Sequence, residues 1–303
     1  MPYALYSGKR QVIMRDYIIV TDGTADLAQG MIDELGILSI PMSFEIDGKA
    51  FVHYPDGREL APKEFYDKLK KGSKSVTSLI NTDTFLSVFE PVIKEGKDIL
   101  YIAFSSALSG TYNSSLIAKE ELQEKYPEAV IKCFDSKCAS AGEGLCVYTA
   151  AKLKEDGMNL EELCAWLDNN VLTLCHWFTV DDLFHLKRGG RVSALSAGIG
   201  TALNIKPVLH VDDEGRLIPM EKIRGRKKSI NSLFEHLENT ITNPEAQVIF
   251  IGHGDALEDA EYLSSLIKEK YPVKNIVINN IGPVVGSHSG PGTIALFFFG
   301  TKR

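Results

Sequence analysis

The sequence predicts an α/β protein of two domains. Its 303 residues exceed the size at which one core usually keeps growing. From residue 17 to about 157, short apolar runs rich in β-formers alternate with helix-period segments, which implies a parallel sheet with helices on both faces. Beyond about residue 170 a hairpin signal among helices replaces that alternation, which implies a second, mixed sheet. The expected architecture is an N-terminal α/β/α domain over residues 16–165, Rossmann-like in its parallel sheet, and a C-terminal α/β domain over residues 166–303. Residues 1–15 read as an N-terminal extension.

The first half begins with a strand, "YIIV" (17–20). A helix is expected across "ADLAQGMIDELG" (25–36), with Asp26 at its start and Gly36 as its stop. "ILSIPMSFEI" (37–46) is rich in β-formers, and "AFVHY" (50–54) follows the turn "DGK". "PKEFYDKLKKG" (62–72) reads as a helix opened by proline and closed by glycine. "TDTFLSVFEPVIKEG" (82–96) reads as another, capped by Thr82 and kinked or broken at Pro91. "DILYIAF" (98–104) is a buried strand, "AVIKCFD" (129–135) a strand and "GLCVYTAAKLKEDG" (144–157) a helix. In the second half, "LCHWFTV" (174–180) is a strand and "SALSAGIGTALN" (193–204) a helix of small residues. "KPVLHV-DDEG-RLIPMEKI" (206–223) carries the hairpin signal, and two helices flank "QVIFIGHG" (247–254). The stretch 275–300 reads as two strands joined by a loop rich in glycine, serine and histidine.

A net charge of -7 argues against a nucleic-acid binder, which would show a basic face. Five cysteines, with no C-x-x-C pair, argue against a disulfide framework or a zinc site and for buried thiols in a reducing cytoplasm. No run approaches the roughly 20 apolar residues of a membrane span, and "MPYALYSGKRQVIMRD" lacks the continuous apolar core of a signal peptide.

"AFSSALSGTYNSS" (103–115) sets six serine and threonine hydroxyls between a strand and a helix. Backbone N–H groups and hydroxyls at a helix N-terminus make a site for an anion, and Gly110 permits close backbone approach. Ordinary capping by Ser109 or Thr111 is the alternative. "SVTSL" puts Thr77 and Ser78 just ahead of a helix. "LKRGGRVS" sets Lys187, Arg188 and Arg191 beside two glycines, a pattern suited to a phosphate or carboxylate and equally to a solvated basic turn. "SHSGPGT" places His288 in a tight loop, where it can donate to an anion, act as acid or base, or simply hold the loop. Asp22 ends the first strand, where α/β sheets present ligands, although it could equally cap a turn. Metal-ligand spacings, a phosphate-binding G-K-[ST] loop and a complete dinucleotide fingerprint are all missing from the sequence. This inventory of hydroxyls, a loop histidine and a few cations suits holding a carboxylate better than breaking bonds.

Seven motifs stand in a fixed order: "TDGTADL", "TSLINTDTF", "SSALSGTYNS", "FDSKCASAGEGL", "LKRGGRVS", "KPVLHVDDEGRL" with "KIRGRKKS", and "GPVVGSHSGPGT". In that order, from about Asp16 to the end, the chain resembles the DegV family. The resemblance implies a two-domain protein that binds one long-chain fatty acid, such as palmitate, stearate or oleate, between its domains. It implies no cofactor and no catalysis by this chain. The bound carboxylate is presented to the catalytic subunit of a fatty acid kinase, and the acyl phosphate feeds phospholipid synthesis. Carried onto this sequence, the head-group residues are Thr77 and Ser78 of the T-S motif, Ser109, Gly110 and Thr111 of L-S-G-T, and His288 of S-H-x-G-P-G. Arg188 and Arg191 come from the basic motif, one of them expected at the phosphate or the kinase. The sequence departs from the family where "TSLIN" replaces T-S-Q-P and where Gly23 replaces a serine. Two other readings compete. One is a phosphotransferase using Asp22 or a hydrolase using Ser109 with His288; the other is a protein-contact subunit using "KRGGR" and "KIRGRKK", with Arg224 and Arg226.

Overall fold

The computed structural model describes residues 15–192 and 204–303. The expected small-residue helix falls almost wholly on 193–203, and the N-terminal extension on 1–14, both outside the described residues. Two large sheets organise the rest. The first is parallel, in the order β2 (Leu38–Ile40), β1 (Tyr17–Asp22), β6 (Asp98–Ala103), β7 (Ile131–Asp135). The second is mixed, in the order β10 (Leu217–Arg224), β9 (Ile205–Val211), β8 (Leu174–Thr179), β13 (Ile294–Phe299), β11 (Val248–His253), β12 (Asn275–Asn280). Only β11 and β12 run parallel there. The α/β class and the division into a parallel and a mixed sheet are as the sequence predicts.

A third sheet is not anticipated by the sequence. The run 37–46 breaks at Pro41, which has no N–H to continue a ladder. Leu38–Ile40 joins the parallel sheet, whereas β3 (Met42–Ile46) pairs antiparallel with β4 (Lys49–His53) and β5 (Ser75–Thr77). Phe44, Phe51, Phe65 and Tyr66 fill the space between this small sheet and α2 (Pro62–Lys70).

The helices stack in layers. On the outer face of the parallel sheet, α3 (Thr82–Lys94) and α4 (Thr111–Lys125) bury Phe85, Phe89, Ala118 and Leu122. On the outer face of the mixed sheet, α8 (Arg226–Thr240) and α9 (Leu257–Lys270) bury Ile230, Leu233, Leu263 and Ile267. Between the two sheets runs α5 (Ala141–Glu155), which touches β1 and β6 on one side and β8, β11 and β13 on the other. Its first seven residues, Ala141 to Val147, are all buried, as befits a helix without a solvent face. Gly142 lets it seat against the mixed sheet, since a Cβ there would stand 2.1 Å from His176 Nε2. The following helix, α6 (Leu160–Asn170), opens with a capping box between Asn159 and Glu162.

Some helix ends differ from the sequence reading. Asn81, not Thr82, caps α3 through Thr84 N, and α3 continues through Pro91 to Lys94. The helix expected to start at Asp26 is only α1 (Gln29–Glu34); Asp26 instead follows a 3-10 turn, Gly23–Ala25, at φ 50°. The loop expected around His288 is a short helix, α10 (Pro283–Ser289). Its proline at the first helical position starts the turn, and Gly290 at φ 82° ends it. α10 packs against β3, β5 and α2, and also against α7 (Leu183–Arg188).

Candidate functional site

Between the two large sheets, at the N-terminal end of α5, lies a cavity of about 220 Å³. Much of its wall is apolar: Phe178, Ala295 and Phe297 from β8 and β13, Val211 and Leu217 from the hairpin, Val284 and Val285 from α10. Alternation along β8 and β13 turns these residues toward α5 and leaves Trp177 and Leu296 for α8 and α9. Thr77, Ser78, Ser109, Gly110, Arg191 and His288 line the same cavity.

Contacts join these polar residues into one cluster. Thr77, at the end of β5, bonds His288 Nε2 through Oγ1 at 2.9 Å. Gly189 backs the histidine, and a Cβ there would stand 2.6 Å from His288 Nδ1. Arg191 donates from Nη1 to Gly189 O at 2.6 Å and from Nε to Leu108 O at 3.3 Å, which ties the basic motif to the hydroxyl-rich loop. Ser109 Oγ accepts from Thr111 N at 3.3 Å and lies 3.0 Å from Thr111 Oγ1.

Two of the eight residues singled out from sequence do not line the cavity. Thr111 is buried, and its Oγ1 accepts from Ile80 N at 3.3 Å, so it joins α4 to the segment after β5. Arg188 is exposed on α7, 3.2 Å from His185 Nδ1 and 3.6 Å from Asp182, and borders a groove on the outer side of His288. The sequence reading missed Ser140, His176, Ser289 and Thr293, which also line the cavity. Ser140 sits in "CASAGEG" and Ser289 and Thr293 in "SHSGPGT", but their inward direction depends on packing across the sheets.

His288 Nδ1 and Ser289 Oγ are buried without a hydrogen-bond partner among the described residues. Burial, with Arg191 and His185 nearby, pushes His288 down to about 4, so its ring is neutral near pH 7. With one ring nitrogen at Thr77, the imidazole offers a neutral polar group at the wall. Together the hydroxyls, the neutral imidazole and the Arg191 guanidinium can satisfy the oxygens of one carboxylate, while the apolar wall accepts a hydrocarbon.

Asp22 belongs to a different cluster. Its Oδ1 accepts from Thr24 N at 3.0 Å and its Oδ2 from Tyr101 OH at 2.7 Å, and the side chain is fully buried. Glu143 accepts from Thr21 and Thr24 at 2.8 and 2.9 Å. Burial raises both carboxyls; hydrogen bonds from Thr24 and Tyr101 partly offset this at Asp22, whereas the charges of Asp22 and Asp26 raise Glu143 further. Burial likewise pushes Asp26 up to about 7. The cysteines are free thiols, with Cys138, Cys146 and Cys175 buried. Among the described residues no group of histidine, cysteine and acidic side chains could hold a metal ion, and no helix is long and apolar enough to cross a membrane.

Comparison with known proteins extends these findings. The sequence model of a family described as uncharacterised protein, DegV family, matches residues 17–301. A DegV domain-containing protein of Clostridium perfringens is 52% identical over 290 residues, which cover 96% of this chain and 99% of the relative. A solved DegV family protein from Thermus thermophilus, described by its fatty acid binding, superposes with a TM-score of 0.85 at 29% identity, covering 95% of this chain and 100% of its own. A stearic acid-binding protein from Eubacterium ventriosum superposes with a TM-score of 0.80 at 26% identity, covering 93% of this chain and 97% of its own.

Proposed function

The chain belongs to the DegV family, and we propose that it binds one long-chain fatty acid in the cavity between its sheets and presents the carboxylate to a fatty acid kinase for acyl-phosphate formation. The observation that carries this reading is the joining of one apolar cavity to the cluster Thr77, Ser109, Arg191 and His288. The hydroxyls and the imidazole hold the carboxylate, with Ser78 and Gly110 beside them, and the tail lies along Phe178, Ala295 and Phe297. Thr111 supports Ser109 from behind, and Arg188 stands outside, where the phosphoryl group or the kinase would approach. In this reading the domains are residues 16–165 and 166–303, with the boundary falling within α6, and the ligand lies between them. Each buried methylene contributes about 0.8 kcal/mol, so a tail of about fifteen supplies on the order of 10 kcal/mol before ordering costs. A slowly exchanging ligand follows, suited to a carrier that works in the cytoplasm.

The geometry gives less support to an enzyme. Ser109 pairs with Thr111 and His288 with Thr77, so the two are engaged with other hydroxyls. Asp22 is enclosed, with both oxygens occupied. Of the cations in "KIRGRKK", Arg226 already pairs with Asp259 and Asp181, which weakens a docking role for it.

Calorimetric titration of delipidated protein with palmitate tests the binding step. One site per chain with submicromolar affinity is expected, and no heat with any acid from C14 to C18 would overturn it. Addition of ATP and a fatty acid kinase catalytic subunit tests the second step, with acyl phosphate as the readout.

A further inference from the structure

His288 depends on α10 for its place, and α10 lacks a cap of its own. The residue before it is Gly282, which has no side chain to accept the first free N–H groups. The acceptor comes from 256 residues away: Asp26 Oδ1 takes the Gly282 N–H at 2.8 Å. Asp26 Oδ2 accepts from Ser140, which lines the cavity at the start of α5, and its backbone oxygen accepts from Asn279 Nδ2 on β12 at 2.7 Å. One buried residue therefore joins the N-termini of α5 and α10 to the end of β12. Gly282 is shaped to this contact, since a Cβ there would stand 2.6 Å from Asp26 Oδ1 and 2.2 Å from His53 Cε1. The left-handed backbone of Asp26, at φ 50°, aims the carboxyl across the seam instead of along α1.

We propose that Asp26 is a positioning residue for the ligand's head group: it clasps α10 to α5 and so sets the distance between the bonded pair His288 and Thr77 on one side of the cavity and Ser140 on the other. The inference rests on the fatty-acid reading above. It makes Asp26 important for the carboxylate and indifferent to the tail.

The test measures affinities for palmitate and for methyl palmitate, which keeps the tail and lacks the charge, in wild type, Asp26→Ala, Asp26→Asn and Asn279→Ala. Asparagine retains an oxygen for Gly282 N–H and offers an NH₂ to Ser140 Oγ. Asp26→Ala is expected to weaken palmitate roughly tenfold, as loss of a buried two-oxygen clasp would, and methyl palmitate less than about twofold. Asp26→Asn restores palmitate to within about threefold of wild type. Asn279→Ala, which loosens the clasp from β12, gives a smaller loss in the same direction and serves if the alanine at residue 26 does not fold. Equal weakening of both ligands in these variants, or unchanged palmitate affinity, would overturn the proposal. Wild type that binds neither ligand would instead overturn the fatty-acid reading, and the clasp's purpose with it.

Discussion

Thr77, Ser109 and His288 show what single residues contribute and how far sequence reveals it. Each stood out because a hydroxyl or imidazole occurred in a motif with small residues, and each lines the cavity. Asp26 was legible only as a helix start, because Ser140 and Gly282 reach it from 114 and 256 residues away. Two predictions belong at this scale. Thr77→Val removes one donor and is expected to weaken palmitate about fivefold, near 1 kcal/mol, with melting temperature little changed; unchanged affinity by calorimetry would remove Thr77 from the head-group site. The second concerns acid. His288 titrates at about 4 in the folded chain against an ordinary 6.5. The unfolded chain therefore takes up that proton first, and the native state loses stability as pH falls from 6.5 toward 4. In urea unfolding, wild type should lose about 2 kcal/mol relative to His288→Gln between pH 7 and pH 4.5. A gap that does not move with pH would contradict the burial of this ring.

The elements were read best where periodicity was strong and worst where proline and glycine punctuate the chain. The buried run of β6 and the hairpin of β9 and β10 follow the sequence. Pro41 marks a change of sheet within one β-rich run, a distinction that local propensity cannot make. "GPVVGSHSGPGT" hides a helix because its glycines and serines lower helix propensity, while packing against β3, β5, α2 and α7 holds it. Gly189 illustrates the fit between α7 and α10. Gly189→Ala puts a Cβ 2.6 Å from His288 Nδ1, so the ring or the element must move. The variant should cost about 1–3 kcal/mol in stability and weaken palmitate more than methyl palmitate. Full retention of both properties would contradict the seating of His288 against α7.

At the scale of the molecule, α5 is the partition between two sheets, and the cavity opens at its N-terminal end. The division into a parallel and a mixed sheet was legible because strand-helix alternation stops where the hairpin begins. How the sheets face each other was not, because contacts such as Ser105 Oγ to Gly215 O, at 2.8 Å, span 110 residues. A ligand buried between the sheets binds only the folded chain, so saturating fatty acid should raise the melting temperature. At about 100 times the dissociation constant the stabilisation is about 2.7 kcal/mol. The central claim is tested most directly by native mass spectrometry of the purified protein, followed by denaturation and lipid extraction. The account predicts a mass excess of one long-chain fatty acid per chain, released on denaturation and regained when the delipidated protein is given the acid. A chain that is empty as purified and stays empty with C14 to C18 acids in excess would contradict it.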